Sequence, residues 1–155
     1  MIDLWPDKIA VEKMITPVTI LRQQALLLGE KTKNIVQGEV RSSKDNFTSF
    51  NYAFYIVATA LDNYRYKLLE ISYNESLYPV DIDVEEEIRK KIPDKFQIVE
   101  VERIGKFIVA NSEEEFLDIL KAIFNSAKVL RVISVLLSQS DPSYDPSLKE
   151  EEIPK

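Results

Sequence analysis

Between Asn46 and Val80 the chain reads NFTSFNYAFYIVATALDNYRYKLLEISYNESLYPV, a run that holds six of the seven tyrosines and three of the seven phenylalanines. Aromatic and β-branched residues at this density fit a pleated, half-buried surface and predict antiparallel strands rather than helix. From Phe50 the alternation is regular. Phe50, Tyr52, Phe54 and Ile56 point to one side, and Asn51, Ala53, Tyr55 and Val57 to the other. Rings that bury large areas and pair across strands are enough to anchor a domain. Everything else in the chain has to be arranged around that sheet.

The flanking segments supply its partners. Thr16-Pro17 starts a helix over about 17–28, with Thr as N-cap, Pro at the first helical position and Gly29 as the expected stop. Val18, Leu21, Ala25 and Leu28 recur at helical spacing and give it an apolar face. The shorter pattern of Ile9, Val11, Met14 and Ile15 fits either a turn of helix or an extended lead-in. A first strand is expected over 34–42, with Gly38 as a bulge, then a turn at 42–46 and the central strand over 47–58. Asp62-Asn63 reverses the chain into a strand over 64–73, in which the apolar residues change sides at Leu68-Leu69. That change requires a bulge or a strand buried on both sides. A fourth strand over 77–82 contains Pro79 and is expected at an edge.

Asp83 with Glu86 forms a capping-box pattern for a helix ending before Pro93, its stripe being Val84, Ile88 and Ile92. Glu85–Arg89, Glu86–Lys90 and Glu87–Lys91 would be i,i+4 ion pairs along it. Two short strands over 96–101 and 106–110 hinge at Gly105. Ser112 and Glu115 repeat the capping box before a long helical pattern that Asn125-Ser126 divides. The stretch 126–139 has β-branched residues that also permit a strand; helix is preferred. The expected fold is therefore α+β: an N-terminal helix, an antiparallel meander of about four strands plus two short ones, and C-terminal helices packed on the sheet. Residues 1–140 are expected to form one domain, and 141–155, with three prolines and seven charges, a disordered acidic tail.

Composition narrows the chemistry. The chain has no histidine and no cysteine, which removes imidazole bases, thiolate nucleophiles and the usual zinc ligands. Three glycines, at 29, 38 and 105, leave no phosphate loop or dinucleotide fingerprint, and no G-x-S-x-G elbow occurs. No cofactor is expected. A net charge of −6 works against general attraction to nucleic acid or anionic lipid. The opening MIDLWPDK carries acid and proline where a signal peptide needs a basic start and an apolar run, so the expected address is the cytoplasm, without membrane attachment.

Three functional readings remain. The leading one is a non-catalytic interaction domain whose partner is another protein or a second copy in a homodimer. It rests on Val129, Leu130, Val132, Ile133, Val135, Leu136 and Leu137, an expected helix apolar nearly all round that needs covering on several sides. The second is a Mg²⁺-dependent hydrolase using Asp81, Asp83, Glu70 or Glu100, since hard cations need only oxygen ligands. Against it, first-turn acids are ordinary helix chemistry, and Glu70-Ile71-Ser72 and Glu100-Val101-Glu102 both lack the lysine of a nuclease Glu-x-Lys. The third places a binding surface on Asn63, Tyr64, Arg65, Tyr66 and Lys67, where aromatics interleave with cations. Nucleic acid is the less expected ligand there, because the same residues suit the wet face of any sheet.

Overall fold

The computed structural model describes residues 1–9, 12–43 and 48–141. Its elements run α1 (Pro17–Lys31), β1 (Val36–Ser42), β2 (Phe50–Ala58), β3 (Tyr64–Tyr73), β4 (Val80–Asp83), α2 (Glu86–Arg89), β5 (Gln97–Val101), β6 (Gly105–Ala110), α3 (Glu113–Phe124) and α4 (Ala127–Ser140). The six strands form one antiparallel sheet in the order β1-β2-β3-β4-β6-β5. The α+β class, the N-terminal helix and the two C-terminal helices follow the expectation from sequence. No helix among the described residues is long and apolar enough to cross a membrane.

The aromatic run becomes β2 and β3, and a bulge at Leu68 lets them share a core. Phe54 faces Leu69 while Tyr55 faces Lys67, so Leu68 is the extra residue. On its far side Tyr66 pairs with Ile56 and Tyr64 with Ala58; on its near side Ile71 pairs with Tyr52. Cross-strand partners point the same way, so residues that a regular strand would place on opposite faces all reach one face. Leu68 and Leu69 are both buried, at 2% and 1% exposure. The helices cover this face, and the buried cluster joins Phe54, Ile56, Leu69 and Ile71 to Leu21, Phe116, Ile119 and Ile123.

Helix α1 begins as expected, with the Thr16 side chain accepting from the Thr19 N–H. It does not stop at Gly29. The helix continues to Lys31 and closes on Thr32, Lys33 and Asn34, the last two with φ of 53° and 64°. The Asn34 N–H returns to the Gly29 carbonyl at 2.8 Å. The Thr32 hydroxyl donates to the Val36 carbonyl (2.6 Å) and accepts from the Val36 N–H (3.2 Å), tying the helix end to β1. Gly38 is not a bulge either, since it sits in regular register opposite Ile56. Its purpose is proximity: a Cβ there would lie 2.5 Å from the Ala25 Cα, 2.7 Å from the Ala25 Cβ and 2.9 Å from the Phe54 ring.

Two further expectations are corrected. Strand β4 lies inside the sheet, between β3 and β6, because Pro79 falls just before its first residue and removes no ladder hydrogen bond. Asp83 is the last residue of β4, paired with Glu70, and caps nothing. Helix α2 is one turn, Glu86–Arg89, with Glu85 at its cap position and no side-chain cap bond. The stripe survives, with Val84, Ile88 and Ile92 all buried. Of the three expected ion pairs only Glu86–Lys90 forms among the described residues, at 3.3 Å, because Glu85 and Glu87 turn instead to Lys128 of α4.

Half of the second capping box forms: the Ser112 side chain accepts from the Glu115 N–H at 3.2 Å, while the Glu115 carboxylate accepts from the Asn111 N–H at 3.3 Å, one residue before the cap. The division at Asn125-Ser126 holds, and 127–140 is helix, capped by the Ser126 side chain. The turn expected at 42–46 lies mostly outside the described residues, as do Phe47, Val11 and residues 142–155 of the expected tail. Residues 1–9 and 12–16 form neither helix nor strand.

The close approach at Gly38 is directly testable. Gly38→Ala puts a methyl group against helix backbone that cannot rotate away, and should cost about 1–3 kcal/mol of stability. The check is a lower denaturant midpoint at unchanged slope; an unchanged midpoint would mean that α1 does not sit where described.

Candidate functional site

The hairpin residues 63–67 are divided between the two faces of the sheet. Asp62 and Asn63 turn the chain with φ of 58° each. Tyr64 and Tyr66 then point toward the helices and Arg65 and Lys67 away from them, as their β2 partners dictate. Arg65 lies 3.4 Å from Glu39 of β1, which is also ion-paired with Arg41, and Lys67 is ion-paired with Glu70. Burial pulls the Glu39 carboxyl upward, but the Arg41 and Arg65 guanidiniums outweigh it and hold it below its ordinary value. Each hairpin cation thus faces a carboxylate rather than joining a basic surface.

Tyr66 serves a different network. Its hydroxyl donates to Glu85 at 3.0 Å, and burial together with that carboxylate raises its pKa well above the ordinary tyrosine value. Lys128 lies 3.3 Å from Glu87 and 3.5 Å from Glu85, and these acids hold its ammonium in the charged form. Tyr66, Glu85, Glu87 and Lys128 thereby link β3, the α2 segment and α4. Tyr78 is raised to about 12, by burial first and by Glu113 second.

Of the four carboxylates of the hydrolase reading, three share one face of the sheet and Glu100 lies on the other. Glu70, Asp81 and Asp83 share the helix-free face, Glu70 directly opposite Asp83 and Asp81 opposite Ser72. Glu70 is engaged by Lys67, and Asp81, an exposed residue, has its pKa raised by partial burial of the carboxyl. Glu100 pairs with Lys106 across β5–β6, on the side of Ile108 and the helices. Among the described residues, no group of three or more acidic side chains is placed to hold a metal ion.

An apolar concave surface lies between the helices, where no motif pointed. A groove of about 520 Å³ opens between α1 on one side and α3 and α4 on the other. Phe54, Ile56 and Leu68 form its floor. Leu27, Leu117 and Leu130, one from each helix, stand in its walls and remain 41%, 44% and 49% exposed. Of the helix 126–139 singled out from sequence, Val129 and Leu136 are buried, Val132, Ile133 and Leu137 are half-buried, and Leu130 and Val135 stay exposed. The sheet and α3 cover that helix only in part, and Leu130 and Ile133 contribute to the groove. Sequence reading missed the α1 side. The signal was Leu26-Leu27-Leu28, three consecutive leucines that one helix face cannot bury together. Edge strand β5 also leaves apolar residues exposed, Ile98 on the face of Glu100 and Val99 and Val101 on the opposite one.

No protein-family model, no curated protein and no solved structure matches this chain.

The raised tyrosines set an alkaline limit. A phenol whose ionised form the fold disfavours contributes its full share of stability up to the unfolded value of 10.0, and loses it as pH climbs toward the folded value. Stability should be insensitive to these groups near neutrality and fall between pH 10 and about 12. Tyr66→Phe together with Tyr78→Phe should flatten that fall, read as denaturant midpoint against pH. An equally steep fall in the double variant would mean that other groups control it.

Proposed function

We propose that this chain is a non-catalytic interaction domain that self-associates through the face formed by α1, α3 and α4. The observation that carries the reading is the groove, in which three half-exposed leucines from three helices surround apolar residues of the sheet core. Each leucine left half in water forgoes on the order of 1 kcal/mol of burial, and an occupant that excludes water recovers it. Contiguous apolar surface of this kind marks interaction sites more often than it marks a bare monomer surface. A second copy supplies matching leucines at a two-fold axis, where one patch meets its own image.

The hydrolase reading draws less support, because Glu100 lies on the helix side while Glu70, Asp81 and Asp83 lie on the other. Nucleic-acid binding through Arg65 and Lys67 draws less as well, since Glu39 and Glu70 neutralise both cations.

Light scattering coupled to gel filtration tests the proposal. The protein should elute as a dimer, and Leu130→Glu should shift it to monomer while leaving its helical circular dichroism intact, because Leu130 is half-exposed. A wild-type chain that stays monomeric at millimolar concentration contradicts self-association.

A further inference from the structure

The groove is not the only apolar surface without a partner. Fifteen residues precede the Thr16 cap, and in the described part Ile2, Leu4, Trp5 and Ile9 are 83%, 88%, 75% and 70% exposed. Trp5 is the only tryptophan of the chain. The Asp3 carboxylate accepts the Trp5 backbone N–H at 3.0 Å, a local turn around Leu4. An adjacent Leu and Trp exposed to water are an unfavourable arrangement for a free arm and an ordinary one for an anchor, because Trp is among the residues most enriched at binding hot spots.

We propose that Leu4 and Trp5 of one copy dock in the α1–α3–α4 groove of a second copy, with Asp3 and Asp7 set toward Lys31 and Lys121. The size fits: about 520 Å³ lies within the roughly 300–1,000 Å³ over which pockets enclose a ligand of several rings. The charge fits as well. Asp3 and Asp7 flank Trp5 two residues to either side, while Lys31 and Lys121 line the groove and make no ion pair among the described residues. The reach is ample, since fifteen extended residues span about 50 Å. Exchange of arms between two copies adds their burial to the leucine contacts of the helices, so the interface grows toward the roughly 800 Å² per partner of a stable complex. This inference rests on the self-association reading and names the segment that fills its groove.

The single tryptophan reports the outcome. Trp5 emission and native mass should be followed together over a dilution series. The emission should move to shorter wavelength as the dimer forms, over the same concentrations. Lys31→Glu with Lys121→Glu, both on exposed helix turns, should weaken the dimer by about tenfold or more and shift both readouts together. Asp3→Lys with Asp7→Lys in the same chain should restore them. A dimer whose Trp5 still emits as a water-exposed indole overturns the arm inference and leaves self-association standing. A chain that is monomeric throughout overturns both. A short-wavelength emission in a monomer, independent of concentration, places the arm in its own groove and overturns the exchange.

Discussion

The fold depends on one irregularity, the extra residue at Leu68. Strand β3 carries Tyr64 and Tyr66 at one parity and Leu69, Ile71 and Tyr73 at the other, and a straight strand would expose one set. The bulge brings both sets to the side where the helices lie, with Leu68 and Leu69 buried next to each other. It also sends Arg65 and Lys67, and beyond the bulge Glu70 and Ser72, to the opposite face, where ion pairs rather than packing organise the surface. One inserted residue thus fixes which face becomes core and which stays polar. Phe54, Ile56 and Leu68 then form the platform that α1, α3 and α4 have to cover.

That cover is incomplete. Helix α1 comes in close over β1 because Gly38 has no side chain, and its end is tied down through Thr32. Helices α3 and α4 approach from the other end of the chain, and α4 is held to α2 by Lys128 through Glu85 and Glu87. Each anchor lies at the margin of the helical layer. Between them the walls stand apart, and leucines that would close a tighter core face the gap half-exposed. The groove lies between these fastened ends.

Much of the architecture is legible locally. Thr16-Pro17, Ser112 with Glu115, and Asn125-Ser126 mark helix limits because capping is settled by a few neighbouring atoms. The aromatic run marks strands, and the change of side at Leu68-Leu69 announces the bulge. The features that sequence misplaces are those settled at a distance. Pro79 suggests an edge, but β4 is interior because β6, about 25 residues further on, pairs with its free side. Asp83 has a cap signature, yet its backbone belongs to the ladder with Glu70. Gly38 looks like a bulge and is in fact a point of contact with Ala25. The groove is the extreme case, since its walls come from residues some 90 positions apart in the chain, such as Leu27 and Leu117. Val129, Leu130 and Ile133 of the sequence-derived helix face reach it, while the 63–67 hairpin lies elsewhere and is split across the sheet.

We propose that the helical face, rather than the charged sheet face or the β5 edge, is where this protein meets a second copy. Amide hydrogen exchange compared at low and high protein concentration tests this most directly. Association through the helical face should add protection over 24–31 of α1, 117–124 of α3 and the first turns of α4, with β1, β5 and the 63–67 hairpin unchanged. Protection confined to β5, or none anywhere at the higher concentration, would contradict it.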